Sequence, residues 1–525
     1  MPYISDMEWN VTRLALPSLC ILVLFALTEF PDCSAAVAGQ ETLVMAWESA
    51  PRSIDPRYAV DIASRDLESL VQCSLISFDA TGKTVGDLAE KWIWSDDRTL
   101  KITIRSHATF SDGTPVTSAD VKATFDSFKR KDVVAASPLA KNFASIQDIL
   151  SPDAVTVLFK LSEPDAAFLS HLEVGILPTK LTRTPMLEAE KPHTGCGPFM
   201  LSSYDTTGLV LLRNPNYSLG PRPKLERIEI KVVKDEAARL AKLRRGEIDL
   251  AHNLLNYKKV AEIAKGAPHL QVLRRTGLNT DYVGFNVKDS ILKSVAVRRA
   301  ISMAINRGAI IKHLYNGFAL TASTLLPPTD AFYDTTLEPS HFDPVAAAKL
   351  LDESGFKDPG SGSQPRFTVT YKTTTNASRF QVAKAVAAML AKVGIKVTVQ
   401  AMAWEKLYED MGKGNVQLWG LSLDEIKDPD VYREAFGSES FPPRGRNYGG
   451  YTSADLDRLL TSGKGEVKEA SRRQIYNKVQ RLIEADVPYA FLWHEEVIAI
   501  ANESVRGFEL YGDGRLTSLK VAWKE

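Results

Sequence analysis

The sequence predicts a mixed α/β protein built from more than one domain. Its 525 residues are too many for a single hydrophobic core, so two or three domains are expected. Alternating apolar residues predict strands at 367–372 and 395–400, and an apolar stripe at helical spacing predicts a helix at 377–393. A strand, a helix and a second strand in this order require a right-handed crossover and a parallel pair. The fold class is therefore α/β.

Further strands and helices alternate along the chain. Strands are predicted at 42–47, 101–105, 154–161, around Val210, at 228–232 and at 281–286. Helices are predicted at 64–75, from near Ser118, from Asp235 to Gly246, across 295–317, from Asp343-Pro344 to Gly355, and around 472–486. Local start and stop signals therefore support this order of elements.

The segment 111–120 shows how these boundaries are predicted. Asp112-Gly113 favours a turn because glycine accepts a positive φ, and Pro115 prevents further ladder pairing. Thr117 and Asp120 are suited to cap the helix that follows.

The N-terminus is predicted to be a secretory signal peptide covering residues 1–38. Arg13 precedes about a dozen apolar residues, and Ala36-Val37-Ala38 supplies the small residues of a cleavage site. The apolar stretch is shorter than the roughly 20 residues of a membrane span. Asp32 stands before Cys33, where a lipoprotein signal carries a small residue, so we expect a free periplasmic protein that begins near Gly39.

Cleavage there would leave two cysteines, Cys73 and Cys196. An exported pair in an oxidising compartment can form a disulfide, but two cysteines alone fix no geometry, so their pairing stays open. Neither belongs to a Cys-x-x-Cys unit, and no structural metal or redox motif is predicted.

The charge balance gives no reason to expect a polyanionic partner. Lysine plus arginine and aspartate plus glutamate number 64 each. No overall field would therefore attract nucleic acid or an anionic membrane.

The sequence contains no complete motif of the catalytic types considered next. Gly82-Lys83-Thr84 ends like a phosphate loop, but Ser77 stands where the leading glycine belongs. His494-Glu495-Glu496 lacks the second histidine of a zinc-hydrolase helix, and no G-x-S-x-G elbow occurs. We therefore predict no enzyme and no cofactor.

Eleven short segments resemble, in order, the family 5 (peptide/nickel type) solute-binding proteins of ABC importers. They are SIDP, LAEKW, FSDGTPVTSADV, GCGPF, RNPNY, GEIDLA, YVGFN, VRRAISMAINR, IKDPD, NYGGYTSADLDRLL and VPYAFLWH. Because they span nearly the whole chain after the signal, the resemblance is more specific than any single motif.

The resemblance implies a two-lobed periplasmic binding protein of type II, similar to cluster C, with three domains. Domain I would join residues 39–70, 195–272 and 495–525, domain II would be 71–194, and domain III would be 273–494. The ligand would be enclosed between domains I and III after hinge closure.

The resemblance also suggests where a ligand amine would bind. Peptide binders of this family hold the α-ammonium on an aspartate in a segment similar to A-D-Y-x-D-P, which corresponds here to residues 423–429. Counting back from Asp428-Pro429 places Glu425 at that aspartate, whereas Asp424 would need one inserted residue. Lys427 nearby can neutralise the carboxylate, and a loop of solvated charges is the alternative interpretation.

Five further residues correspond to cleft positions of the family. Trp404 falls where peptide binders place a tryptophan that lines the cleft, although a core tryptophan is equally compatible with the sequence. Tyr58 and Asp61 lie in the loop that corresponds to the first lobe's ligand contacts. Cys196, in GCGPF, and Asn447, in NYGGY, are the other two residues that correspond to cleft positions.

The function implied by the resemblance is solute binding in the periplasm. The expected ligand is a short peptide or a related amine-bearing solute, which a monomer would deliver to the permease and ATPase subunits of an ABC transporter. The alternatives are a chelated metal or other non-peptide solute and, from a different class, an exported hydrolase.

Overall fold

The computed structural model describes residues 41–188, 193–252, 255–360 and 364–525. The predicted signal peptide and the start of the mature chain near Gly39 lie outside the described residues. Within those ranges, no helix combines the length and apolar character needed to cross a membrane.

The described residues contain strands of two to fourteen residues. In chain order they are β1 (Thr42–Trp47), β2 (Ile76–Phe78), β3 (Thr84–Gly86), β4 (Ala89–Trp94), β5 (Thr99–Ile104), β6 (Ile146–Leu150), β7 (Thr156–Leu161), β8 (Phe199–Asp205), β9 (Gly208–Arg213), β10 (Arg227–Val232), β11 (Leu250–His252), β12 (Leu270–Thr276), β13 (Thr280–Phe285), β14 (Ala319–Thr321), β15 (Phe367–Thr374), β16 (Ile395–Met402), β17 (Leu418–Leu423), β18 (Tyr489–Asn502), β19 (Val505–Arg506) and β20 (Trp523–Lys524).

Helices alternate with these strands. They are α1 (Ile62–Val71), α2 (Ser118–Ser127), α3 (Lys131–Ala136), α4 (Thr179–Thr182), α5 (Glu236–Arg244), α6 (Tyr257–Gly266), α7 (Val295–Met303), α8 (Arg307–Leu314), α9 (Pro344–Glu353), α10 (Ala377–Ala391), α11 (Trp404–Gly412), α12 (Val431–Phe436), α13 (Ala454–Gly465) and α14 (Glu469–Asp486), with 3-10 turns at Ala140–Phe143, Ala166–Leu172 and Thr517–Val521.

Strand β18 joins the two halves of the main sheet. From Glu496 onward it pairs antiparallel with β12 and β11, and before that it pairs with β13 and β14. The first half continues as β11-β1-β10-β9-β8 and the second as β13-β17-β15-β16. We call the first half, with residues 41–276 and 496–525, the first lobe. Residues 280–495 are the second lobe.

The chain also crosses between the lobes at residues 277–279. The amide of Gly277 donates to the carbonyl of Glu495 at 2.9 Å. A Cβ atom on Gly277 would lie 2.6 Å from that same oxygen, so this close approach of two backbones requires glycine. Together with β18, this crossing forms the connection between the lobes.

The second lobe contains the strand-helix-strand unit that the sequence predicts. β15 and β16 run parallel in register over eight residue pairs, from Phe367 with Ile395 to Thr374 with Met402, which confirms the prediction. On α10, Val382, Val386 and Leu390 are buried against this pair. Their spacing of four residues puts them on one face of the helix, which explains the packing.

A smaller sheet, in the order β4-β5-β7-β6, belongs to the first lobe. Helix α2 packs on it through Phe125, whose ring centroid is 5.2 Å from that of Phe159. The predicted cap is confirmed, since Asp120 accepts hydrogen bonds from the amide of Thr117 at 3.0 Å and from its hydroxyl at 2.9 Å.

The structure settles one point that the sequence left open and differs from one sequence prediction. Cys73 and Cys196 form a disulfide, the pairing that the sequence left open. The predicted helical run at 295–317 is interrupted, because the Asn306 side chain accepts from the amide of Ala309 at 2.9 Å and begins α8 separately from α7. The boundaries given above for three domains stay a prediction.

Candidate ligand-binding cleft

The loop that follows β17 lies where the lobes meet. We call residues 424–427 the junction loop. Its Ile426 is buried, and the Ile426 amide donates to the carbonyl of Leu278, in the crossing segment, at 2.8 Å. The loop is therefore held against the connection between the lobes, with charged residues on both sides of Ile426.

Glu425 has a partner in the first lobe. Its backbone adopts a φ of 57°, which is uncommon for a residue with a side chain. Its carboxylate forms an ion pair with Arg65 on α1. The residue that the sequence places at the amine-binding position is therefore already engaged by a cation of the protein.

Lys427 also contacts the first lobe, but here the junction loop supplies the cation and the first lobe supplies the carboxylates. Its Nζ lies 2.5 Å from the Glu173 carboxylate, 3.7 Å from that of Asp513, and 4.9 Å from the centre of the Phe78 ring. Arg515 also contacts Glu173, at 3.1 Å. These four charged side chains are 7–14% exposed, so they form a largely buried ion network between the lobes.

A small polar cavity adjoins this network. Its volume is about 30 Å³ and its lining includes Glu68, Gln72, Glu173 and Arg515, so it has room for a water molecule. Glu68 accepts a hydrogen bond from the amide of Gly175 at 2.7 Å. Burial nevertheless raises the pKa of Glu68 to about 7.

A second charged cluster lies nearby on β13 and β18. Asp281 pairs with Trp493 in the strand register, so Glu495 is its diagonal neighbour on the same face of the sheet. Asp281 is 7% exposed, and within the described part of the chain its Oδ2 has no hydrogen-bond partner. Burial, followed by the charge of Glu495, raises the pKa of Asp281 well above its usual range.

Aromatic rings surround this carboxylate pair. The Tyr257 hydroxyl donates to Glu495 Oε2 at 2.7 Å. The ring of Tyr315 lies 5.4 Å from that of Tyr257 and 4.9 Å from that of Trp493. Burial and then the charge of Asp281 raise the pKa of Tyr315.

Asp424, in the junction loop, is exposed. The Ser422 hydroxyl donates to its Oδ1 at 2.8 Å, and the described residues supply no ion pair to it. Of the two carboxylates that the sequence proposes as the amine anchor, Asp424 is therefore the one without a cationic partner. Lys427, predicted as a neutralising neighbour, binds Glu173 instead.

Trp404, a further predicted cleft residue, is also accessible. It begins α11 and is 47% exposed, with its ring centroid 5.9 Å from that of Tyr408. Trp404 therefore lies on a partly open aromatic surface and is not a core tryptophan.

The other four predicted residues have partners within the protein. The Tyr58 hydroxyl donates to the carbonyl of Pro185 at 2.8 Å, and Asp61 caps α1 by accepting from the amide of Ser64 at 3.1 Å. Cys196 is held in the disulfide, so it offers no free thiol. Buried Asn447 donates to three backbone carbonyls at 2.8–3.1 Å.

The sequence missed several residues of the site. Arg65, Asp281 and Glu495 belong to no motif that predicts a ligand site. Asp281 could have been noticed, because a carboxylate at the start of the otherwise apolar strand DYVGF is unusual. Among the residues that the structure describes, no group of three or more histidine, cysteine or carboxylate side chains is placed to hold a metal ion.

The two-lobed α/β fold, with charged residues meeting at the junction, defines a solute-binding protein of the periplasmic type. The family model of bacterial extracellular solute-binding proteins, family 5 Middle, matches residues 83–442. The chain belongs to this family, whose members serve as solute-binding components of ABC transporters.

The relatives agree with this assignment. A putative ABC transporter peptide-binding protein of Brucella ovis is 30% identical over 445 residues, covering 82% of each chain. Di/tripeptide-binding protein 3 of Pseudomonas aeruginosa is 28% identical over 504 residues, covering 89% of this chain and 92% of its own. The structure of NikA from Brucella suis in complex with Fe(III)-EDTA superposes with a TM-score of 0.81 at 21% identity, over 92% of this chain and 100% of that one.

Proposed function

We propose that this protein captures a short peptide or related amine-bearing solute between its lobes and delivers it to an ABC permease. It would act as a free periplasmic monomer after loss of the signal peptide. The observation that carries the proposal is Asp424, an exposed carboxylate at the junction to which the described residues supply no cation. The relatives named for peptides and dipeptides support the same ligand class.

Asp424 is the proposed anchor for the ligand ammonium. A charge-assisted hydrogen bond to an ammonium group is stronger than one between neutral groups, and enclosure strengthens it by excluding water. Glu425, the position that the sequence favours, is paired with Arg65, so a ligand amine would have to displace a guanidinium there. Glu425 is therefore the second candidate, and Trp404 is the proposed aromatic wall of the same cleft.

Binding and closure are linked in this mechanism. A ligand shifts the lobes toward the closed form only by the difference in its affinity for the two forms. The pairs formed by Arg65 with Glu425 and by Lys427 with Glu173 cross the junction, so they contribute to the closed form with or without ligand. The ligand then supplies the remaining free energy through contacts to both lobes.

The first experiment identifies the bound molecule. Native mass spectrometry of protein purified from the host periplasm is expected to show one co-purifying small molecule that carries an amine. A chelated metal in its place would favour the alternative ligand class. A ligand that is converted during incubation would favour the exported hydrolase.

The second experiment locates the anchor by calorimetric titration with that ligand. Asp424→Asn is expected to weaken binding more than tenfold, about 1.4 kcal/mol, because the amide has no charge to offer the ammonium. Glu425→Gln tests the second candidate. Glu353→Gln, on the exposed end of α9, is the matched control and should leave the affinity unchanged. Unchanged affinity in both junction variants would overturn the anchor proposal.

A further inference from the structure

We propose that Asp281 and Glu495 bind a second cationic group of the ligand, namely the ammonium or guanidinium of a basic side chain. The inference rests on the proposed function and narrows the ligand class to peptides whose amino-terminal residue is lysyl, arginyl or similarly basic. The proposal rests on Asp281, which is more than nine-tenths buried and whose Oδ2 has no hydrogen-bond partner among the described residues. Glu495 lies two residues beyond its strand partner Trp493, and aromatic side chains adjoin both carboxylates.

Among the described residues, the charges that act on Asp281 are mostly of its own sign. Glu495 and Asp424 both act on Asp281 with the same sign, and Arg379 is the opposing cation whose charge reaches it. The neighbouring carboxylate Glu496 is different, because Arg274 contacts it at 2.6 Å. Buried carboxylates are normally paired or fully hydrogen-bonded, so the unpaired position calls for a cation from outside the chain.

The walls around the carboxylates suit a cation. Tyr257, Tyr315 and Trp493 present aromatic rings, and a cation next to such rings gains from their quadrupoles as well as from the carboxylates. A neighbouring ring is already used in this way, since the Arg274 guanidinium lies 4.4 Å from the centre of the Phe318 ring. Carboxylates combined with aromatic faces therefore select for an organic cation over a neutral apolar group.

One ligand can reach both anionic positions. Asp281 on β13 pairs with Ser422 on β17, and Asp424 follows Ser422 by two residues. Neighbouring strands are about 4.8 Å apart, so Asp424 and Asp281 are separated by a short distance along the cleft. A peptide whose amino group binds Asp424 can therefore place a basic side chain on the Asp281/Glu495 pair.

The rival explanation is that the two carboxyl groups share a proton and serve only the fold. Titration calorimetry with two matched dipeptides separates the explanations. Lysyl-alanine and norleucyl-alanine have side chains of similar length, but only the first is charged. We expect lysyl-alanine to bind at least tenfold more tightly, and Asp281→Asn to reduce that preference below threefold while norleucyl-alanine keeps its affinity.

Glu495→Gln is the second variant, for use if Asp281→Asn does not fold, and Glu353→Gln is the control that should keep the full preference. Equal affinity for the two peptides in the unmodified protein, or a preference that survives both Asp281→Asn and Glu495→Gln, would overturn the inference while peptide binding stands. If neither peptide binds and the co-purified molecule carries no amine, the proposed function fails as well.

Discussion

Two charged clusters meet at the junction of the lobes, and they are built in opposite ways. Around Lys427, each buried cation contacts carboxylates, with Glu173 and Asp513 between Lys427 and Arg515. Around Asp281, the charge with the largest effect on its pKa is another carboxylate, Glu495. A balanced cluster holds the two lobes of the chain together, whereas an unbalanced cluster of like charges costs free energy until a counter-charge arrives. On the function and the ligand class proposed above, the first cluster serves closure and the second serves selection.

Removing a cation from the balanced cluster should have the largest effect. Arg515→Met leaves Glu173 and Asp513 with less compensation in a buried setting, so the free energy of unfolding should fall by about 3–5 kcal/mol. Urea denaturation measures this change. Arg506→Met is the control, because Arg506 and its partner Glu525 are 46% and 60% exposed, and its effect should stay below about 1 kcal/mol. Equal effects would show that the network does not stabilise the fold.

The second-largest expected effect is a loss of stability with rising pH that is caused by Glu68. Burial raises its pKa from 4.5 to about 7, so the folded state holds the proton more tightly than the unfolded state. Stability from this group is therefore fully present below pH 4.5 and is lost as the pH rises to about 7. The loss is about 3 kcal/mol, at about 1.4 kcal/mol for each pKa unit.

Glu68→Gln should flatten that part of the stability profile. Urea denaturation at several pH values between 4.5 and 7.5 measures the slope for both proteins. Glu353→Gln, on an exposed helix end, should keep the original slope. If the Glu68→Gln profile keeps the original slope too, Glu68 is not the group that couples folding to pH.

A smaller effect is expected when the cross-lobe contact itself is removed. Lys427→Met keeps the length of the side chain but loses the charge that contacts Glu173 at 2.5 Å. Closure should become less favourable, and the ligand affinity should fall about tenfold, or about 1.4 kcal/mol. Small-angle scattering of the ligand-free protein should show a larger radius of gyration. Lys413→Met, whose charge pairs with Glu409 near the end of α11, should change neither quantity.

The local structure of the fold was largely predictable from sequence. The parallel pair β15 and β16, the cap at Thr117 and Asp120, and the helix from Asp235 to Gly246 follow from patterns within a few residues. Each depends on hydrogen bonds and side-chain periodicity that neighbouring residues determine among themselves.

The charge pairing was not predictable, because it depends on contacts far apart in sequence. Lys427 and Glu173 are separated by 254 residues, and Arg65 and Glu425 by even more. The disulfide between Cys73 and Cys196, 123 residues apart, stayed open for the same reason. The sequence located the junction loop through its resemblance to a family, but only the folded chain distinguishes a carboxylate that is already paired from one that is free.

The smallest change in stability is expected at Asp281, and it tests the comparison most directly. Asp281→Asn removes one of two like charges without changing the shape of the side chain. Its free energy of unfolding should therefore stay within about 1 kcal/mol of the unmodified protein, on the stabilising side. Because burial raises the pKa of Asp281, the measurement is best made at pH 8, where the carboxyl group is more fully ionised.

Asp428→Asn is the matched control in the same lobe. Arg472 donates to both oxygens of Asp428 at 2.7 Å, so this substitution breaks a paired carboxylate and should cost about 3 kcal/mol. If Asp281→Asn destabilises the protein as much as Asp428→Asn does, Asp281 is required for folding. The Asp281/Glu495 pair would then be a structural element like the Lys427 network, and the distinction between a cluster that closes the lobes and one that selects the ligand would no longer hold.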